Sequence, residues 1–180
     1  RPVLCGLSMG GYVALRTAER DPLRFRGLIL CNTKADADDN NAKIKRAKQI
    51  DSINVKGLNR FIDEFIPQCF ASKTIDKNRT LVEKTITASK KHIPKGVKGA
   101  IFAIMSRTDT TEFLKNCQIP SLVIAGSADA VTPADKMKEL ASLIKNSEFV
   151  TIPDSGHLTA IENPDAVNKA ISGFLADKVK

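Results

Sequence analysis

The chain has 180 residues, of which 42% are hydrophobic and 27% charged, and a formal net charge of +8. That length suits one domain carrying an insertion, and the composition excludes a disordered or fibrous chain. No run approaches 18 apolar residues, which excludes a transmembrane helix, and no signal-peptide pattern opens the sequence.

The first element is the short apolar run Pro2-Val3-Leu4-Cys5, which reads as a strand. Gly6-Leu7-Ser8-Met9-Gly10 follows directly, a G-x-S-x-G pattern, and then a helical pattern over residues 9–20. Strand, sharp turn and helix is the context in which a serine can be held in a strained backbone conformation with its Oγ raised from the sheet. The glycines on either side keep such a turn free of side-chain clashes. The Met9 N–H then lies at a helix N-terminus, where it can stabilise an oxyanion. Asp21-Pro22 ends the helix. Gly27–Cys31 is a continuous apolar run, as expected of a parallel strand buried on both faces, and it stops at Asn32-Thr33.

Residues 34–116 change character. They hold seventeen basic and ten acidic side chains, so the positive charge is concentrated here. Helical patterns are expected over residues 42–54, 55–66, 80–92 and 94–105, with no strand between them. The lysines lie at helical spacing among acids without interleaved aromatics. That pattern predicts a solvated surface rather than a nucleic-acid interface, with at most a weak attraction for anionic substrates.

Alternation of strand and helix resumes at residue 117. Ser121–Ala125 reads as a buried strand, followed by the loop Gly126-Ser127-Ala128-Asp129. Thr132 is expected to cap a helix that starts at Pro133 and runs to about Lys145. Glu148–Ile152 is the last strand, Pro153-Asp154-Ser155-Gly156-His157 its loop, and Asn163 the cap of a final helix from Pro164. The order predicts an α/β fold, a mostly parallel sheet flanked by helices with a four-helix insertion. The expected boundaries are residues 1–33 and 117–180 for the sheet part and 34–116 for the insertion. Ser8, Asp129 and His157 all fall in loops beyond the carboxyl ends of strands, where sites gather in such sheets.

A serine hydroxyl needs a base within hydrogen-bond reach, and the base needs an orienting carboxylate. Of the two histidines, His92 sits in the Lys-rich stretch Ser89-Lys90-Lys91-His92 and reads as a surface residue, whereas His157 follows a strand. Asp129 is the favoured acid. Asp36, which opens the insertion, and Asp154, too near His157 in sequence to reach its far ring nitrogen, are the competitors. The four cysteines form no C-x-x-C pair and are expected to be buried free thiols of a reducing, cytoplasmic compartment. No His/Cys/Asp cluster has the spacing of metal ligands, so neither a metal nor a cofactor is expected.

The chain order Ser, Asp, His is that of α/β-hydrolases. Gly6-Leu7-Ser8-Met9-Gly10-Gly11, Ala125-Gly126-Ser127-Ala128-Asp129-Ala130-Val131-Thr132-Pro133 and Ile152-Pro153-Asp154-Ser155-Gly156-His157 with Glu162-Asn163-Pro164 resemble the three signature blocks of that superfamily. The run Leu28–Thr33 and the helical insertion are similar to 3-oxoadipate enol-lactonase-like esterases with a small cap. The resemblance implies Ser8 as nucleophile, His157 as general base and acid, Asp129 as orienting acid and the Met9 N–H as one oxyanion donor. It implies an ester or lactone substrate held under the cap, with Phe61, Phe65, Phe70, Phe102, Met105 and Val131 as expected pocket walls. A cofactor-free perhydrolase or an acyltransferase would use the same residues, and a hydrolase-fold binding protein would keep the fold alone. In that family the first strands and the second oxyanion donor precede the nucleophile. The expectation is therefore a fragment whose amino-terminal strands are missing, inactive as it stands, since one lost donor costs about 2.7–4 kcal/mol of transition-state stabilisation. The sequence leaves the oligomeric state open.

Overall fold

A computed structural model describes residues 1–179 of the chain. Four strands, β1 (Val3–Leu7), β2 (Gly27–Cys31), β3 (Ser121–Gly126) and β4 (Ser147–Ile152), form one sheet in the order β1-β2-β3-β4, and every neighbouring pair is parallel. Parallel neighbours need crossover connections. These are α1 (Met9–Arg20) between β1 and β2, α8 (Ala134–Ser142) between β3 and β4, and a long helical block between β2 and β3.

Alternation along each strand sorts the core into two layers. Leu28, Leu30, Val123 and Ala125 face Ala14, Leu15 and Ala18 of α1 and Met137, Leu140 and Ala141 of α8. Ile29, Cys31, Leu122, Ile124 and Ile152 face the other way, onto Val167 and Phe174 of α10 (Pro164–Lys178). β2 and β3 are buried along their whole length, as their unbroken apolar runs require.

The block between β2 and β3 comprises α2 (Asn40–Lys56), α3 (Leu58–Phe65), α4 (Ser72–Lys77), α5 (Arg79–Ser89), α6 (Pro94–Met105) and α7 (Thr111–Asn116). It has a small core of its own, made by Ile53, Leu58, Phe61, Ile62 and Ile101. α4 and α7, of six residues each, are too short for a periodic signal in the sequence. The helix expected over 55–66 is instead divided at Gly57, whose φ of 83° is closed to a regular helix and costly for any residue with a Cβ. The two crossings between sheet and block lie side by side. Thr110 donates both its N–H and its hydroxyl to the Ala35 carbonyl. The Arg107 guanidinium binds the Asp38 carboxylate and the Asp36 carbonyl and lies 4.3 Å above the centroid of the Tyr12 ring.

Two further expectations change. Cys31, Cys69 and Cys117 are buried free thiols, but Cys5 is exposed, because α10 packs over β3 and β4 and leaves the middle of edge strand β1 open. Thr132 does not cap α8, which begins at Ala134 after Pro133; its hydroxyl is drawn instead to Asp129. Asn163 does cap α10, accepting from the Ala166 N–H. Among the described residues no helix is long and apolar enough to cross a membrane.

Candidate active site

β1 delivers Ser8 at its carboxyl end, and α1 starts on the next residue. Ser8 has φ 51° and ψ −115°, a left-handed conformation that a non-glycine residue adopts only where its surroundings enforce it. They do so through hydrogen bonds to the Ser8 backbone, one of them from the Tyr12 N–H to its carbonyl at 3.3 Å. The Ser8 N–H donates to the Cys31 carbonyl at 2.9 Å, and the Ser8 carbonyl accepts from the Gly11 N–H at 2.9 Å and the Thr33 hydroxyl at 2.8 Å. A Cβ at Gly6 would stand 2.3 Å from the Gly10 carbonyl oxygen, and one at Gly11 2.4 Å from Thr33 Oγ1. Gly10 itself faces open space, so the crowded glycines of this turn are Gly6 and Gly11 rather than Gly6 and Gly10. The Met9 N–H is the first of α1, and such an N–H has no acceptor within its own helix.

The loops after β3 and β4 bring Asp129 and His157 to the same place. His157 Nε2 lies 2.8 Å from Ser8 Oγ, and His157 Nδ1 lies 2.8 Å from Asp129 Oδ2. Asp129 and His157 are both buried, whereas Ser8 remains partly open. The hydrogen bonds fix the tautomer. Burial pushes the Asp129 carboxyl up, but the bond and charge of His157 and the hydroxyl and amide bonds of Thr132 outweigh it and bring it down to about 2. The carboxylate is therefore ionised and can only accept, so in the neutral ring Nδ1 carries the proton and Nε2 is left to accept from the Ser8 hydroxyl. Thr132 Oγ1 donates to Asp129 Oδ2 at 2.5 Å and lies 3.2 Å from His157 Nδ1. The other oxygen, Oδ1, accepts from the Val131 N–H at 2.7 Å and the Thr132 N–H at 2.9 Å.

The remaining contact on the acid had no signal in the sequence beyond its place at a strand end. Asn32, fully buried just after β2 with φ 46°, donates from Nδ2 to Asp129 Oδ2 at 2.8 Å and accepts at Oδ1 from the Thr159 hydroxyl at 2.8 Å. Asparagine tolerates the left-handed region better than most residues, and its amide both donates and accepts.

The competing acids lie elsewhere. Asp154 is exposed and paired with Lys73, and Asp36 meets Arg107 only through its carbonyl. His92 is exposed in the turn after α5. Of the expected pocket walls, Phe61, Phe65 and Val131 line a cavity of about 390 Å³ between α2, α3 and the acid loop, together with Lys34, Lys45 and Arg46. The rings of Phe61 and Phe65 stack at 5.4 Å. Phe70 is buried against the histidine loop instead. Phe102 is 59% exposed and Met105 half-buried, and neither lines this cavity, because α6 turns Ile101 inward to the block's core. Among the described residues no group of three or more His, Cys, Asp or Glu side chains is placed to hold a metal ion.

The chain is 31% identical over 171 residues to 3-oxoadipate enol-lactonase 1 of Acinetobacter baylyi, covering 95% of this chain and 62% of that one. It superposes on a thermophilic esterase from Thermogutta terrifontis with a TM-score of 0.93 and 36% identity, covering 99% of this chain and 65% of the other. The enol-lactonase from Burkholderia xenovorans follows with a TM-score of 0.85 and 26% identity, over 96% and 65% of the two chains. The chain thus spans less than two thirds of the length of these relatives. Residues 1–164 match the family described as alpha/beta hydrolase fold, and the chain, with its parallel sheet and its serine turn between β1 and α1, belongs to that family.

Proposed function

We propose that the protein is a serine hydrolase that cleaves a carboxylic ester or lactone through an acyl-enzyme on Ser8. The observation that carries this reading is the continuous line Ser8 Oγ, His157 Nε2, His157 Nδ1, Asp129 Oδ2, both links 2.8 Å long, with the acid held ionised. As Ser8 Oγ attacks the carbonyl carbon, its proton passes to Nε2, and the imidazolium that forms is stabilised by Asp129. The Met9 N–H donates to the oxyanion. His157 then protonates the leaving oxygen and activates the water that frees the acid from Ser8. The helical block acts as the cap, residues 34–116, and the cavity walled by Phe61, Phe65 and Val131, which borders the Asp129 loop but not Ser8 or His157, is its candidate substrate space. The enol-lactonase and esterase relatives support a small ester or lactone as the substrate class. The four free thiols support a cytoplasmic setting.

The test is an ester panel on the full-length protein, with p-nitrophenyl acetate and butyrate as the first substrates. A burst of p-nitrophenol that Ser8→Ala abolishes, with fluorophosphonate labelling of Ser8, supports the reading. No turnover across the panel together with no labelling of Ser8 overturns it.

A further inference from the structure

One residue of the sequence blocks has no part in the chemistry above. In Glu162-Asn163-Pro164, Asn163 and Pro164 are explained by the start of α10, which they cap and open. Glu162 is not. It ends α9 (Thr159–Glu162), and its carboxylate spans the joint between the sheet part and the cap. Oε1 accepts from the N–H of Gly156, the residue before His157, at 2.8 Å. Oε2 accepts from the Ala71 N–H at 2.9 Å and the Thr74 hydroxyl at 2.7 Å, both in the cap.

The same cap segment also grips the histidine directly. The N–H groups of His157 and Leu158 both donate to the Cys69 carbonyl, at 2.8 and 3.3 Å. A Cβ on Gly156 would stand 2.6 Å from the Ala71 nitrogen and 2.7 Å from the Phe70 carbonyl carbon, so cap backbone lies against this glycine. Residues 69–71 and the backbone of residues 156–158 are thus in direct contact.

We propose that Glu162 is a positioning residue that locks cap segment 69–74 to the histidine loop, so that seating of the cap sets the His157–Ser8 geometry. Only a carboxylate serves both sides. Its two oxygens accept from three donors, whereas a glutamine of the same shape presents one accepting oxygen and one NH2 group. That NH2 must face either Gly156 N–H or Ala71 N–H, donor against donor. The catalytic half of this inference rests on the hydrolase reading; the mechanical half rests on the fold alone.

Glu162→Gln in the full-length protein separates the two. Hydrogen exchange read by mass spectrometry should quicken in the peptides holding residues 69–74 and 155–158 together, while β2 and β3 keep their protection. Against a p-nitrophenyl ester, kcat should fall about 100-fold with KM little changed, the signature of a displaced base rather than a lost binding contact. Fluorophosphonate labelling of Ser8 should slow in step. Wild-type kcat in Glu162→Gln, quickened exchange in only one of the two peptides, or a loss spread evenly over the whole fold would each overturn the proposal. Should Glu162→Gln not fold, Thr74→Val removes one donor from Oε2 and leaves Gly156 alone. It should quicken exchange in the same two peptides with a smaller fall in kcat, and unchanged exchange at 155–158 overturns the lock. If the hydrolase reading itself fails, wild type is inert and unlabelled, yet the paired change in exchange still appears.

Discussion

The acid and the histidine sit in equivalent loops, each just past a strand end, yet they are held in different ways. Asp129 is fixed by the sheet part alone: the Val131 and Thr132 amides and the Thr132 hydroxyl come from its own loop, and Asn32 from the end of β2. The histidine loop is held from both sides of the joint: on the sheet side the Ala128 N–H donates to the Ser155 carbonyl and Glu162 accepts from the Gly156 N–H, and from the cap the Cys69 carbonyl accepts from the His157 and Leu158 N–H groups, with Glu162 also reaching Ala71 and Thr74. A tight local turn can satisfy a carboxylate with amides a few residues away, and no distant segment is required. His157 must meet both Asp129 and Ser8, so its backbone is placed from outside its own loop, and here the helical block shares that placement with the Asp129 loop and Glu162.

The sharpest way to break the contrast is Gly156→Ala. The added methyl would overlap cap backbone rather than a movable side chain. Displacement of His157 should lower kcat/KM by about 100-fold or more, with a loss of roughly 1–3 kcal/mol in urea unfolding. A wild-type rate would show that the cap can retreat freely.

The acid side is sharpened by pH. The Asp129 carboxyl stands at about 2 in the fold against an ordinary 3.8, so its bonds stabilise the protein fully above pH 4. About 2 kcal/mol should disappear as pH falls from near 4 to below 2. Comparing wild type with Asp129→Asn in acid-unfolding curves isolates this segment. Parallel curves across that window would mean that the carboxylate is not held as described.

The smallest effect belongs to Lys73→Ala. This lysine pairs with Asp154 at the same joint that Glu162 spans, but both partners are more than half exposed. Water screens such a pair, and its removal should cost less than about 1 kcal/mol by thermal unfolding and leave kcat unchanged. A large fall in rate would shift the lock from Glu162 to the surface.

Much of this arrangement was legible in the chain. The apolar runs at 27–31 and 121–125 read as strands covered on both faces, and Pro and Asn marked the start of α10, because such patterns act over a few residues. The serine turn declared itself through Gly6 and Gly10 of the motif, although Gly10 proved to face open space and Gly11 to be the second crowded glycine. Phe61, Phe65 and Val131 reached the cavity, whereas Phe102 did not, since periodicity marks one face of a helix without saying what that face meets.

The sequence by itself determined the alternation of strands and helices, the turn at Ser8 and the order of serine, acid and histidine, for these rest on local periodicity and on the conformational limits of glycine and proline. Only the tertiary structure decided that Asn32 would support Asp129 from 97 residues away and that Glu162, 91 residues from Ala71, would tie it to Gly156. Those contacts arise where parallel crossovers bring distant strand ends and the cap together. An asparagine or glutamate in the chain shows nothing of which donors the fold will place around it.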